Sequence, residues 1–364
     1  MVSKRDSRFE LLRAISILMI IFAHFSFHTN WTFGPKDSVF LVSLYHAIWM
    51  GGKIGVNLFV LISGYFLING RFKWKSLFKL WTTVYIYSIL ILIVAILGGI
   101  AKPNIKNIAV SIFPISFGYV SWFATAYVAM YLLSPFINTL IRHLSKRNFQ
   151  SLLLILTFWF SIIRIFFHTE ALGVGGNDVL WLLIIYCFGA YIKLYENDLK
   201  KIKKAPLLGI LIVTIIVSWL TVFILDYLQI HYKISNNKQL SLRFLDGFSP
   251  LTLCAALLIF ILILHAKPFT KKPINVMAST AFGVYLIHDN WFITDWLWNK
   301  VVDGSRYEQS YWGIVYGLLC SVIIYLVCSA IELLRQYVFD GASLQFADFM
   351  SRRKILRYLS FPKR

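Results

Sequence analysis

Charged residues are scarce in this sequence. They make up 14% of 364 residues, where a soluble domain carries about 25%. Acidic residues are scarcer still: 16 Asp and Glu against 36 Lys and Arg leave a net charge of +20. Hydrophobic residues account for 59%. This excludes an ordinary soluble enzyme and points to a polytopic membrane protein. No polar stretch is long enough for a separate soluble domain. In a soluble chain such a positive charge would suggest nucleic acid. Here the positive-inside rule accounts for it, and no nucleic-acid partner is expected. Cysteine is also rare. Cys187, Cys254, Cys320 and Cys328 lie in apolar segments and read as small core residues, with no disulfide framework and no CxxC metal spacing. GxxxxGK[ST], GxGxxG, HExxH and GxSxG are all absent. No metal is expected, and any group transferred must come from an already activated donor.

Within this apolar background the first segment, Arg8 to Phe27, carries Glu10, Arg13 and His24. Ionisable groups at membrane depth are costly and tend to face a protein interior or a wet cavity. Arg13 and His24 are eleven residues apart. At about 100° per residue that returns to within about 20° of one face, with about 16 Å of rise between them. Glu10, Arg13, Ile17, His24 and His28 form one stripe. A permanent cation near one end and an imidazole near the other suit a site that holds an anion and does proton chemistry deeper in. The alternative is a signal-anchor helix with a snorkelling Arg and a hydrogen-bonded His. The N-terminus lacks a short apolar region followed by a small-residue cleavage site, so this helix is expected to stay as a span.

Ten spans are expected, at about 9–28, 54–70, 77–98, 119–140, 150–167, 178–194, 206–228, 249–266, 277–297 and 311–334. With the N-terminus inside, this even count puts the C-terminus inside too. The inner side then holds 26 of the 36 Lys and Arg, which supports both orientation and count. The division is an all-α transmembrane domain over 1–340 and a basic amphipathic tail over 341–364, read as an interfacial helix on anionic lipid. The outer loop 29–53 holds Trp31, Phe33, Phe40, Tyr45, His46 and Trp49. They form an interfacial belt or line a sugar groove.

Further landmarks follow in order. In the stretch Met50 to Leu67, which also carries Ser63 and Tyr65, Gly51, Gly52, Gly55 and Gly64 permit close approach of either a helix or a ligand. Lys75 and Lys79 share a helix face on the inner side, as topogenic charge or as an anion site for a phosphorylated donor. Trp122 opens the fourth span. Tyr285, His288 and Asp289 lie deep in the ninth; the His–Asp neighbourhood could orient an imidazole, although adjacent residues do not face each other on a helix. Arg164, Asp178, Asp226 and Glu332 are expected to pair inside the bundle.

These residues together resemble the membrane-bound acyltransferase-3 family, integral-membrane acyltransferases of surface glycans. The resemblance rests on Arg13-x10-His24, on Gly52-x2-Gly55-Val56-x2-Phe59-Val60-x2-Ser63-Gly64-Tyr65, on Trp122-Phe123 and on Tyr285-Leu286-Ile287-His288. It covers nearly the whole chain. It implies transfer of an acyl group, usually acetyl, from cytoplasmic acyl-CoA to a carbohydrate acceptor at the outer face of the cell membrane, here the bacterial cytoplasmic membrane. It makes His24 catalytic and Arg13 a donor contact, with Lys75 and Lys79 beside it. Glu10, Gly55, Ser63, Tyr65, Trp122, Tyr285 and His288 would support the site. The family's Arg-x2-Arg pair is replaced here by Lys75 and Lys79, which hold phosphate as point charges without the bidentate fork. Direct general-base transfer and a covalent acyl-histidine both fit His24. A proton-coupled transporter of a small acid or glycan precursor, or a non-catalytic partner of a polysaccharide synthase, are the rival readings.

Overall fold

A computed structural model describes residues 5–34, 36–117, 121–167, 178–232 and 240–353. Among them the chain is helical, with no strand. Ten helices of 15 residues or more carry the architecture. These are α1 (Ser7–His28), α2 (Val39–Leu67), α3 (Trp74–Leu97), α4 (Trp122–His143) and α5 (Lys146–Phe167). They continue as α6 (Val179–Leu194), α7 (Lys204–Tyr232), α8 (Pro250–Leu264), α9 (Lys272–His288) and α10 (Trp312–Ser351). Each overlaps one of the ten expected segments. Seven of them, α1 to α5, α7 and α10, are long and apolar enough to cross a membrane. The shorter α6, α8 and α9 have 16, 15 and 17 residues.

The helices divide into centre and rim. In the most apolar stretch of α2, 67% of residues are buried, against 28% in α5, α7 and α10. The rim helices turn Leu208, Ile212, Val213 and Ile216 of α7, and Leu319, Ile323, Leu326 and Val327 of α10, outward. An apolar face of that extent suits lipid rather than water. The centre is held by glycine. A Cβ on Gly55 would sit 2.6 Å from the Ser16 carbonyl oxygen, so α1 and α2 meet backbone to backbone there. Gly64 and Gly189 do the same between α2 and α6, where a Cβ would run into the backbone of Tyr186 and Leu61. Without a hydrophobic drive between helices in lipid, such close packing is what associates them.

Three boundaries differ from the sequence expectation. The second span was expected from residue 54, but α2 begins at Val39, so Tyr45, His46 and Trp49 are helical. Gly51, Gly52 and Lys53 look like a break, yet Gly52 faces Ala23 of α1, and Lys53 is paired with Asp246 at 3.1 Å over the Trp49 ring. The ninth helix ends at His288, short of 297, and continues irregularly through Thr294–Trp296 and Leu297–Val302. The last helix runs unbroken from Trp312 to Ser351, through the expected boundary at 340. Residues 354–364 of the expected tail lie outside the described residues.

The intramembrane charges pair as expected. Arg164 meets Asp178 at 3.0 Å, Asp226 meets His46 at 2.8 Å and Glu332 meets Arg335 at 2.8 Å. All four cysteines are free.

Candidate active site

The first helix starts on a proper cap: the Asp6 side chain accepts from the Arg8 backbone N–H. At its other end His24 and His28 stand one turn apart, their rings 5.1 Å from centroid to centroid. Helix α9 runs beside it in the same direction. Ser7 bonds to Asn275 at 2.7 Å near the start of both helices, and His24 meets His288 near their ends.

That meeting fixes a tautomer. Nδ1 of His288 lies 2.7 Å from the Val284 carbonyl oxygen, which can only accept. His288 Nδ1 therefore carries the ring hydrogen, and in the neutral ring its Nε2 is bare. His24 Nδ1 lies 3.0 Å from that Nε2 and so donates to it. A neutral imidazole has one N–H, which leaves Nε2 of His24 as a free lone pair. His288 is fully buried, so this relay has no competition from solvent.

Asp289 completes the group. Its Oδ1 is 3.6 Å from His24 Nδ1 and 3.3 Å from His28 Nε2. Adjacent residues on a helix diverge, but α9 ends at His288 and Asp289 is its cap, with φ −106° and ψ 22°. Leaving the helix lets both side chains reach one imidazole. Sequence reasoning placed His28 on the stripe and Asp289 beside His288 without assigning either to the site. The i,i+4 spacing of the two histidines and the helix end were the available signals.

Between Arg13 and His24, α1 faces a small apolar cleft of about 20 Å³. It is lined by Ile17 and Ile20 of α1, Val56 and Phe59 of α2, Phe123 of α4, and Ala281, Phe282 and Tyr285 of α9. Tyr285 is buried and accepts from Ser121 Oγ at 3.1 Å, at the cap of α4 just before Trp122. Lys53 lies 5.9 Å from the Trp122 ring centroid. His24, His288, Tyr285 and Asp289 are thus brought together along one side of α1.

Other expected site residues sit elsewhere. Arg13 pairs with Glu10 within α1, its Nη1 3.0 Å from both carboxylate oxygens. Lys75 and Lys79 extend from α3 to α10, meeting Asp348 at 3.5 Å and Asp340 at 2.7 Å. Gly55 is filled by the α1 backbone rather than opening onto the cleft. Ser63 bonds to the Phe59 carbonyl at 3.0 Å and to the Tyr127 hydroxyl at 3.1 Å. Tyr65 donates to Glu196 at 2.7 Å and accepts from Lys193 at 3.1 Å, beside Phe9 near the start of α1. Burial would raise the Glu196 carboxyl, but hydrogen bonds from Lys200, Tyr65 and Lys193 outweigh it and hold its pKa at about 2.

Fold and site together define a helical membrane protein with a largely buried imidazole, His24, oriented by a second, fully buried one, His288. A family model described as an acyltransferase domain matches residues 6–332, and the chain belongs to this acyltransferase-3 family. It is accordingly a multi-pass membrane acyltransferase. No curated protein and no solved structure gives a match to the chain.

Proposed function

We propose that this enzyme moves an acyl group, acetyl in the first instance, from cytoplasmic acyl-CoA to a hydroxyl of a glycan at the outer face of the cell membrane. In this reading all ten helices span the bilayer, the three short ones within a locally thinned or tilted arrangement, and both termini are cytoplasmic. The observation that carries it is the relay from Val284 through His288 to His24, which leaves His24 Nε2 bare.

His24 Nε2 takes the proton of the acceptor hydroxyl as that oxygen attacks the thioester carbonyl. The tetrahedral adduct collapses, the C–S bond breaks, and the leaving thiolate takes the proton back from His24 to depart as free CoA thiol. In the interval His24 is an imidazolium, with the Asp289 carboxylate 3.6 Å from its Nδ1. The pantetheine arm runs alongside α1 over about 16 Å, from the level of Arg13 to His24, which requires the small cleft beside Ile17, Ile20 and Tyr285 to open. The donor's phosphates are held by Arg13, Lys75 and Lys79. This requires the donor to compete with Glu10, Asp348 and Asp340 for those cations.

The test is acyl transfer by purified protein in nanodiscs, with radiolabelled acetyl-CoA and an extract of host surface glycan. Glycan-dependent thiol release that disappears in His24→Ala is the expected result. Release by His24→Ala at the wild-type rate would overturn the reading. Label retained on the protein without acceptor would mark the acyl-histidine route. Binding without release from any extract would indicate a different acceptor, and no CoA binding at all would favour transport.

A further inference from the structure

His24 and His28 sit one turn apart on α1, and Asp289 reaches both from the end of α9. Two of the three donor-atom separations are 3.6 Å and 3.3 Å, and all three atoms lie within 4.8 Å of one another. Two imidazoles and one carboxylate are a donor set for zinc, at about 2.0–2.1 Å from the ion. In a tetrahedral shell of that radius the ligand atoms are roughly 3.3 Å apart, so two edges are already close to the bound geometry. The approach is open on one side: relative exposure rises from 12% at His24 and 14% at Asp289 to 25% at His28. An ion entering past His28 would keep a fourth position for water, as three-ligand zinc sites do.

We propose that His24, His28 and Asp289 form a binding site for a divalent transition metal such as Zn²⁺, and that its occupancy switches His24 off. The switch follows from proton bookkeeping in one ring. Without metal, the His24 hydrogen is on Nδ1, donated to His288, and Nε2 is bare. The nitrogen nearest Asp289 is that same Nδ1. When the ion takes the Nδ1 lone pair, the neutral ring keeps its one hydrogen, which must now sit on Nε2. The His24 to His288 hydrogen bond is lost in the same step. No bare nitrogen is left to accept a proton from a hydroxyl. The metal site stands without the proposed reaction; the loss of acyl transfer rests on it.

Two measurements on the full chain in nanodiscs test this, and neither needs an active enzyme. After stripping with chelator, ZnCl₂ is titrated by calorimetry. One ion per chain is expected. Removing a residue that only supports a metal ligand already costs about 10–100-fold in affinity, so His28→Gln and Asp289→Asn should each weaken binding by at least about tenfold. His46→Gln, at the separate His46–Asp226 pair, should leave it unchanged. Thermal melting in detergent confirms that each variant is folded. Absence of stoichiometric binding, or binding equally tight in both His28→Gln and Asp289→Asn, would overturn the site. The second measurement is ¹⁵N NMR of histidine-labelled protein, with His24→Gln to assign the signal. His24 should change from the Nδ1–H to the Nε2–H tautomer on adding Zn²⁺. An unchanged Nδ1–H tautomer with zinc bound would overturn the switch. Where acyl transfer is measurable, inhibition should follow the binding curve and reverse with EDTA.

Discussion

Nδ1 of His24 lies 3.0 Å from Nε2 of His288, across 264 residues of sequence, and the direction of that bond is set by a third group, the Val284 carbonyl. In the proposed mechanism His288 therefore acts through His24 as a positioning residue. His288→Ala removes the acceptor that keeps the His24 hydrogen on Nδ1, so Nε2 is bare in only part of the population and the ring is free to turn. General-base catalysis contributes about 10²–10⁴-fold, which bounds the loss. The expected result is a fall in kcat within that range with the donor KM unchanged, and partial rescue by His288→Gln, whose amide oxygen can accept. A change confined to KM would contradict this role.

The helical segments were legible because hydropathy and periodicity are properties of local sequence, and each of the ten long helices overlaps an expected segment. The meeting of His24 with His288 was not, since it depends on α1 and α9 running side by side in the same direction, which no local pattern encodes. Asp289 was discounted for a sound local reason, and the end of α9 at His288 removes that reason. The start of α2 was misplaced because Lys53 looks like a loop residue until Asp246, nearly two hundred positions away, neutralises it. The functions of Gly52 and Gly55 stayed open between packing and ligand until Ser16 and Ala23 were found against them.

In the proposed mechanism Asp289 stabilises the imidazolium that forms on His24, and the effect of removing its charge can be bounded. At 3.6 Å and an effective dielectric of about 20, two unit charges interact by several kcal/mol, of which desolvation and relaxation leave a part. Asp289→Asn keeps the shape and loses the charge. Its kcat should fall by roughly 10–100-fold, about 1.4–2.8 kcal/mol of barrier. Steady-state kinetics with saturating donor would check this; an unchanged kcat would show that Asp289 does not face the developing charge.

Two glycines make a matched pair for stability. Gly55 faces the Ser16 carbonyl, whereas Gly209, in the lipid-facing part of α7, has nothing within 4 Å of an added Cβ. Alanine is the better helix former by about 1 kcal/mol in both cases. At Gly209 that gain stands, so Gly209→Ala should be neutral to stabilising. At Gly55 it is outweighed by forcing α1 and α2 apart, and overpacking of this kind costs roughly 1–3 kcal/mol. Thermal unfolding in detergent should lower the Tm of Gly55→Ala and leave that of Gly209→Ala at or above wild type. Equal shifts would mean that the α1–α2 contact is looser than described.

Glu196 gives the chain an acid-sensitive clamp outside the spans. Its carboxyl accepts from Tyr65 at 2.7 Å, Lys193 at 3.0 Å and Lys200 at 2.5 Å, tying the end of α6 to α2. Burial works against the charged form, and these three donors overcome it, taking the pKa from the ordinary 4.5 to about 2. A depressed carboxylate stabilises the fold fully above its unfolded value and loses that contribution as pH falls through the folded one. The contribution is therefore intact at pH 6 and declines from about pH 4.5 towards pH 2. Glu196→Gln lacks the charge at every pH. Its Tm should lie below wild type at pH 6, and the gap should narrow on acidification to pH 3. The carboxyl is partly exposed and its lysine partners more so, so solvent keeps the effect small, and added salt should reduce it further at pH 6. A gap that stays constant from pH 6 to pH 3 would show that the three donors bind the carboxylate no better than water does.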